Sequence, residues 1–175
     1  NVSRRRAAAW ALFEMGTAAA AAAESLAPLL DDPEVRVPAL RALEAIGPEA
    51  VPAVPALTRL LTHPDFYIRF GAMLTMAEIS CPLDKRESGG KRSPSAHAAV
   101  VSKSLVIPFL DAFPTLAYET AEVMAALGSF AKLALQPAIG MLDHADPSRQ
   151  VGALGVITAL GPEAAPAVPK LIEML

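Results

Sequence analysis

Histidine, cysteine and paired aspartates are the residues of this chain that could carry chemistry. The three histidines are His63, His97 and His144, and a histidine can ligate a metal or move a proton. A metal site on a helix needs a second ligand three or four residues from the first. None of the three histidines has a carboxylate or another histidine at that spacing, and the sequence contains no His-Glu dipeptide. We therefore predict no metal site.

The single cysteine and the acidic pair add no catalytic group. Cys81 has no second cysteine for an internal disulfide, and a surface thiol is tolerated more easily in a reducing compartment. Asp31 and Asp32 stand directly before Pro33, which is typical of a helix N-terminus rather than of acid–base catalysis. The sequence has no glycine-rich phosphate loop and no nucleophile elbow. We predict no enzymatic activity and no cofactor; the compartment stays unknown, with the cytoplasm favoured.

A block of fifteen residues that begins Gly-Pro-Glu-Ala occurs twice, at residues 47–61 and 161–175. Ten of its fifteen positions are identical, and the offset between the copies is 161 − 47 = 114 residues. Weaker copies begin at Gly16 and Gly128, and another covers residues 96–110. An amphipathic run precedes each copy, most clearly at residues 32–46. Self-similarity of this kind predicts an array of about five two-helix units.

The amphipathic runs have the period of helices. Val37, Leu40, Leu43 and Ile46 recur at three-residue spacing, and no stretch of useful length alternates with the period of two that a strand requires. Alanine is abundant and β-branched residues are scattered, which disfavours strands. The sequence therefore predicts an all-α fold.

Glycine and proline mark the ends of these helices. Gly47 and Gly161 each follow an apolar run and precede a proline, as expected where a helix stops. Pro52 and Pro55 would break a helix that began at Pro48. We predict a short turn over residues 48–51, with the second helix of the unit starting near Pro52 or Pro55.

The order of these signals resembles a HEAT repeat. Asp-Pro-Glu-Val-Arg opens the unit at residues 32–36, its first helix ends Ala-Ile-Gly at residues 45–47, and Pro-Glu-Ala-x-Pro-Ala follows. The chain is most similar to the short bacterial HEAT-like repeats of the phycobilisome bilin lyases. The signatures of ankyrin and tetratricopeptide repeats are absent. The resemblance implies a right-handed α-solenoid.

The repeats have predicted boundaries at residues 1–30, 31–61, 62–110, 111–142 and 143–175, which form a single domain. A polar, basic insertion at residues 81–95 interrupts the third repeat; it is either a solvated insertion or a finger that contacts an acidic partner. Solenoid ends normally carry polar caps, and neither end of the chain looks like one. We expect a fragment of a longer protein, with self-association through the uncapped ends as the alternative.

Charge and hydropathy narrow the class of partner. A net charge of −3 argues against nucleic acid, because DNA-binding proteins present a basic face. The only tryptophan, Trp10, lies in an apolar run and is expected to pack rather than to stack on bases. No apolar run of about 18 residues is free of both charge and helix breakers, so we predict no membrane insertion.

The resemblance places a binding surface on the second helices, which line the concave face of HEAT-like arrays. It implies a non-enzymatic scaffold that binds a partner protein or peptide; the alternatives are a bilin lyase-like subunit that handles a tetrapyrrole on a partner protein, and a DNA-binding protein. Alignment of the copies gives two rows of equivalent positions, and two further residues fit the gap that the third repeat leaves in these rows. These candidates are Ser25, Ala56, Pro137 and Lys170 in one row, Pro28, Arg59, Gly140 and Glu173 in the other, and Leu105 with Pro108 in the gap.

Overall fold

The computed structural model describes residues 1–84, 91–98, 101, 132 and 134–175 of the chain. The chain divides into two units. Unit 1 comprises residues 1–83 and 95–97, and unit 2 comprises residues 84–94 and 98–175. Helices make up most of the described residues, so the prediction of an all-α protein is confirmed. The single domain with five repeat boundaries stays a prediction.

Unit 1 consists of helices that stack side by side. Its α-helices are α1 (Val2–Met15), α2 (Ala23–Leu26), α3 (Arg36–Ile46), α4 (Val54–Leu60) and α5 (Phe66–Ser80). The 3-10 helices Gly16–Ala22, Ala27–Asp31 and Gly47–Ala53 lie between them. Helix α3 contacts α1 on one side and α5 on the other, and α4 packs against α5. The first helices of successive repeats therefore form one layer.

Unit 2 repeats this arrangement in its described part. It contains α6 (Leu135–Met141), α7 (Pro147–Leu160), the 3-10 helix Gly161–Ala167 and α8 (Val168–Glu173), and α6 packs against α7. Two strands of two residues, β1 (Leu83–Asp84) and β2 (Lys91–Arg92), pair within the insertion. The sequence predicts no strand there, because runs of two residues are too short to show a period.

The two clearest repeats differ in where the first helix begins. Asp146 caps α7 by accepting the Ser148 N–H at 2.9 Å, and Pro147 is the first helical residue. In the earlier copy α3 begins at Arg36 rather than at Pro33. Val35 lies before it with a fully buried side chain and φ of −121°, so the segment before α3 is held by core packing and forms a turn.

The predicted helix stops and restarts are confirmed. Gly47 and Gly161 end the first helices with φ of 72° and 55°, values that L-residues with a side chain rarely adopt. The proline-containing turn that follows is a 3-10 helix, and α4 begins at Val54, one residue before Pro55. A backbone N–H in the first turn of a helix has no intrahelical partner, so the lack of one in proline costs nothing there.

Aliphatic side chains of moderate size fill the core of unit 1. The largest fully buried side chains are Leu26, Leu30, Leu43, Ile46, Leu57, Met76 and Ile79. A Cβ atom at Gly71 would lie 3.2 Å from Leu40 Cδ1, so the absence of a side chain on α5 allows its close approach to α3. This tight layer holds the second helices in position.

Candidate interaction surface

The second helices of unit 1 present one exposed edge, which we call the second-helix ridge. It comprises Glu24, Pro28 and Asp31 in the first repeat and Pro55 and Arg59 in the second, and all five residues are exposed. Their spacing of three or four residues places them on one side of each helical segment. The proline rings have fixed backbone φ angles, so this part of the surface is rigid before any partner binds.

An ion pair joins the two halves of the ridge. Arg59 Nη2 lies 3.1 Å from Asp31 Oδ2 and 3.3 Å from Asp31 Oδ1, and both side chains are more than half exposed. A pair of this kind contributes about 0–1 kcal/mol to stability. Its main effect is on position, because it holds the Arg59 guanidinium against Asp31 between the two successive second helices.

The first predicted row is displaced by one residue from the exposed edge. Ser25 is exposed, but Ala56 retains only 6% of its accessible surface, and Pro137 and Lys170 are half-buried. The residues immediately before them are all exposed: Glu24, Pro55, Gln136 and Pro169. Sequence alignment established equivalence between copies but not which side of the helix faces solvent. The prolines in the first turn of two of these helices, Pro55 and Pro169, could have indicated the exposed side.

The second predicted row lies on the exposed edge. Pro28, Arg59, Gly140 and Glu173 are all exposed at equivalent positions of their repeats. Leu105 and Pro108 lie outside the described residues. The structure therefore places half of the candidates on accessible surface in two separate units, and their use by a partner stays a prediction.

Lys170 forms ion pairs with two carboxylates in the described part of unit 2. Its Nζ lies 2.7 Å from Asp143 Oδ1 and 2.9 Å from Glu173 Oε2. These hydrogen bonds, first that of Asp143 and then that of Glu173, raise the pKa of the Lys170 ammonium above its ordinary value of 10.5. Lys170 thus holds the connection after α6 against α8, as Arg59 holds Asp31 in unit 1.

The residues considered for chemistry do not converge in the described part of the chain. No group of three or more histidine, cysteine or acidic side chains is placed to hold a metal ion there. Cys81 is fully buried at the C-terminal end of α5, so the argument from a surface thiol to a reducing compartment does not apply to it. His63 and His144 lie in the connections before α5 and α7, where each binds backbone.

Known proteins share this architecture. A family model described as HEAT repeats matches residues 23–88, which span α2 to α5 and the residues just after α5. This segment is therefore similar to HEAT repeats. A crystal structure of an engineered protein, a structural genomics target, is similar at 20% sequence identity with a TM-score of 0.59. The match covers 97% of this chain and 79% of that protein, and it supports an all-α solenoid fold. No curated protein matches the sequence.

Helix α8 exposes apolar surface. Val168, Ile172 and Met174 are exposed in and just after α8. The stretch Pro147–Glu173 also meets the length and hydropathy of a membrane span. However, Gly161 and the 3-10 helix interrupt it, and the core helices of soluble proteins pass the same test. The absence of membrane insertion stays a prediction.

The aromatic side chains of unit 1 are more accessible than the sequence suggested. Trp10 packs edge-to-face against Phe13 at a centroid distance of 5.6 Å, but it lies outside the core and is exposed. Arg6 and Glu14, one turn before and one turn after Trp10, are also exposed, so this side of α1 faces solvent. Tyr67 at the start of α5 is also exposed, against the ring of Phe66.

Proposed function

We propose that the protein is a non-enzymatic scaffold that binds a partner protein or peptide along the second-helix ridge. HEAT repeats generally mediate interactions between proteins. The observation that supports the ridge is the run of exposed, conformationally rigid positions on successive second helices, Pro28, Pro55 and Arg59 in unit 1.

Rigidity of the ridge lowers the entropic cost of binding. A partner that docks on flexible side chains must immobilise them, at about 0.5–1.5 kcal/mol for each. Proline has no such freedom to lose, and Arg59 is already held by Asp31. A ridge of this composition therefore presents a preformed surface, which favours an extended peptide or a helix as the bound segment.

The test compares a double variant on the ridge with a single variant on a first helix. A partner is first captured with the wild-type chain, and its dissociation constant is then measured by calorimetry. The double variant Glu24→Arg and Pro55→Arg places two cations on the ridge without touching the Asp31–Arg59 pair. The control is Val37→Arg, an exposed position of α3.

We expect the ridge variant to weaken binding about tenfold or more, and the α3 variant to change it by less than about twofold. Circular dichroism must show that both variants keep the wild-type helix content. Equal losses for both variants, or none for the ridge variant, would exclude the ridge as the binding surface. Self-association through the exposed residues of α8 is a separate prediction, tested by sedimentation velocity over a range of concentrations.

A further inference from the structure

Two contacts in unit 1 show which side of a first helix packs on the first helix before it. A Cβ atom on Gly71 of α5 would lie 3.2 Å from Leu40 Cδ1 of α3, and Thr75 Oγ1 donates to the Leu40 carbonyl at 3.4 Å. Gly71 and Thr75 are four residues apart, so they lie on one side of α5, one turn from each other. This side of α5 packs on α3.

The corresponding side of α3 packs on α1. The aligned arginines of α3 and α5 give an offset of 69 − 36 = 33 residues, which makes Pro38 and Ala42 the counterparts of Gly71 and Thr75. Both Pro38 and Ala42 are buried, and α3 contacts α1. The same two positions are therefore covered in both first helices that have another first helix before them.

Helix α1 exposes this side. The glycines that end α1 and α3 give an offset of 47 − 16 = 31 residues, so Ala7 and Ala11 are the counterparts of Pro38 and Ala42. Both alanines are exposed, and Met15, one turn further on, is also exposed. We call Ala7, Ala11 and Met15 the α1 face.

The surface that a first helix covers in unit 1 is exposed in unit 2. Helix α5 packs on both α3 and α4, where Leu40 and Leu60 are each 5% exposed. At the offset of 114 residues their counterparts are Leu154, which is half-buried, and Met174, which is exposed. Ile172 of α8 is 63% exposed. The residues that we call the α7–α8 face are Leu154, Val168, Ile172 and Met174.

The two faces are complementary in shape. Leu40 can approach the backbone of α5 closely because Gly71 has no side chain there. Alanine, the smallest residue with a side chain, occupies the same position of α1, so Leu154 can approach α1 in a similar way. Both faces are apolar, and removal of such surface from water favours association.

Charge matches in the same orientation. In unit 1 the connection at residues 61–65 joins α4 to α5, so the first turn of α5 lies near the end of α4. A copy of α1 in the place of α5 would therefore have Arg4 and Arg6 near the end of α8. Glu173 is exposed at that end, and opposite charges at a contact favour the correct orientation.

We propose that the α1 face of one copy of this chain docks on the α7–α8 face of a second copy, in the way that α5 packs on α3 and α4. The two faces differ, so the contact is heterologous, and each copy that has used one face keeps the other for a further copy. The second-helix ridge takes no part in this contact. The proposal is therefore independent of the proposed scaffold function.

The experiment uses two variants of the whole chain, each of which blocks one face. Ala11→Glu places a carboxylate in the α1 face and Ile172→Glu places one in the α7–α8 face; both positions are exposed, so neither change disturbs the core. The control is Val37→Arg, an exposed position of α3 outside both faces. Sedimentation velocity is measured from about 1 μM to about 1 mM, the range of weak association, for each protein and for an equimolar mixture of the two blocked variants.

We expect the sedimentation coefficients of wild type and of Val37→Arg to rise with concentration. Each blocked variant alone should associate at least about tenfold more weakly, because its contact would bury an unpaired charge. The mixture should regain association but stop at a species of twice the chain mass. One intact α1 face then meets one intact α7–α8 face, and the remaining two faces are blocked.

Three results would overturn the proposal. A wild type that stays monomeric over the whole range would show that something other than a second copy covers these faces. Association that survives Ala11→Glu but not Ile172→Glu would show that α8 pairs with itself. A mixture that stays monomeric would show that the two faces do not bind each other. Ala7→Glu and Met174→Glu form a second pair of variants if circular dichroism shows that a first variant has lost helix content.

Discussion

The repeat at residues 32–61 of unit 1 and the repeat at residues 146–175 of unit 2 have closely similar sequences but different surroundings. Both contain a first helix that ends at a glycine with positive φ, a 3-10 helix of seven residues and a short second helix. The shared Gly-Pro-Glu-Ala block therefore determines the path of the backbone in both units.

Burial of the second helix differs between the two repeats. Val54 and Leu60 on α4 are each 5% exposed, whereas their counterparts Val168 and Met174 are 48% and 43% exposed. Helix α4 packs against α5, and no described helix covers α8 on the corresponding side. The motif therefore specifies conformation within a repeat, whereas the following repeat supplies most of the burial of its second helix.

The most direct test of this difference is the loss of one equivalent leucine from each second helix. Leu57 is fully buried and its counterpart Leu171 is partly exposed. Leu57→Ala leaves a cavity in a packed core and should lower the free energy of unfolding by about 2–5 kcal/mol. Leu171→Ala removes a side chain that water already contacts, so we expect a loss of less than about 1 kcal/mol.

Urea denaturation followed by two probes measures both effects. The fluorescence of Trp10 reports on unit 1, since it is the only tryptophan, and far-ultraviolet circular dichroism reports on both units. Similar losses for the two variants would show that α8 is as well packed as α4, and would contradict the dependence of burial on the following repeat.

The second prediction concerns a feature that the two repeats should share. Gly47 has φ of 72° and Gly161 has φ of 55°, and a Cβ atom at either position would meet no atom within 4 Å. The cost of Gly47→Ala and of Gly161→Ala is therefore conformational, about 1–3 kcal/mol in each case. Thermal unfolding by calorimetry should give values that agree within about 0.5 kcal/mol. A much larger cost at the buried Gly47 would mean that packing, and not backbone strain, selects glycine.

The sequence predicted helix punctuation well because its causes are local. Positive φ at Gly47 and the proline-containing turn after it both depend on residues within a few positions. The start of α3 was wrong because burial of Val35, a contact distant in sequence, decides it. The position of the first predicted row relative to the exposed edge has the same kind of cause, because which side of α4 faces solvent depends on the position of α5. The ion pair of Arg59 has no local signature.

Capping provides a smaller contrast between the repeats. Asp146→Ala removes the hydrogen bond to the Ser148 N–H and should destabilise unit 2 by about 1 kcal/mol.

In the earlier repeat, Asp32 accepts the Glu34 N–H at 3.0 Å and in addition pairs with Arg5 Nη2 at 2.8 Å, which links the turn to α1. We expect a coupling of about 0.2–1 kcal/mol between Asp32→Ala and Arg5→Ala in a double-mutant cycle. A coupling of zero would show that the pair adds nothing beyond the turn.

The smallest expected effect is a pH-dependent contribution of Lys170 to stability, which the repeat at residues 32–61 lacks. Lys170 stands where the internal repeat has the buried Ala56, and the hydrogen bonds of Asp143 and Glu173 raise the pKa of its ammonium above 10.5. The charged form is favoured on folding, so its contribution to stability is complete below pH 10.5 and is lost as the pH rises through the raised pKa. Lys170→Ala should therefore lower the urea midpoint of unit 2 at neutral pH, and the difference from wild type should vanish in strong alkali. A difference that persists unchanged above the raised pKa would assign the role of Lys170 to its aliphatic stem instead of its charge.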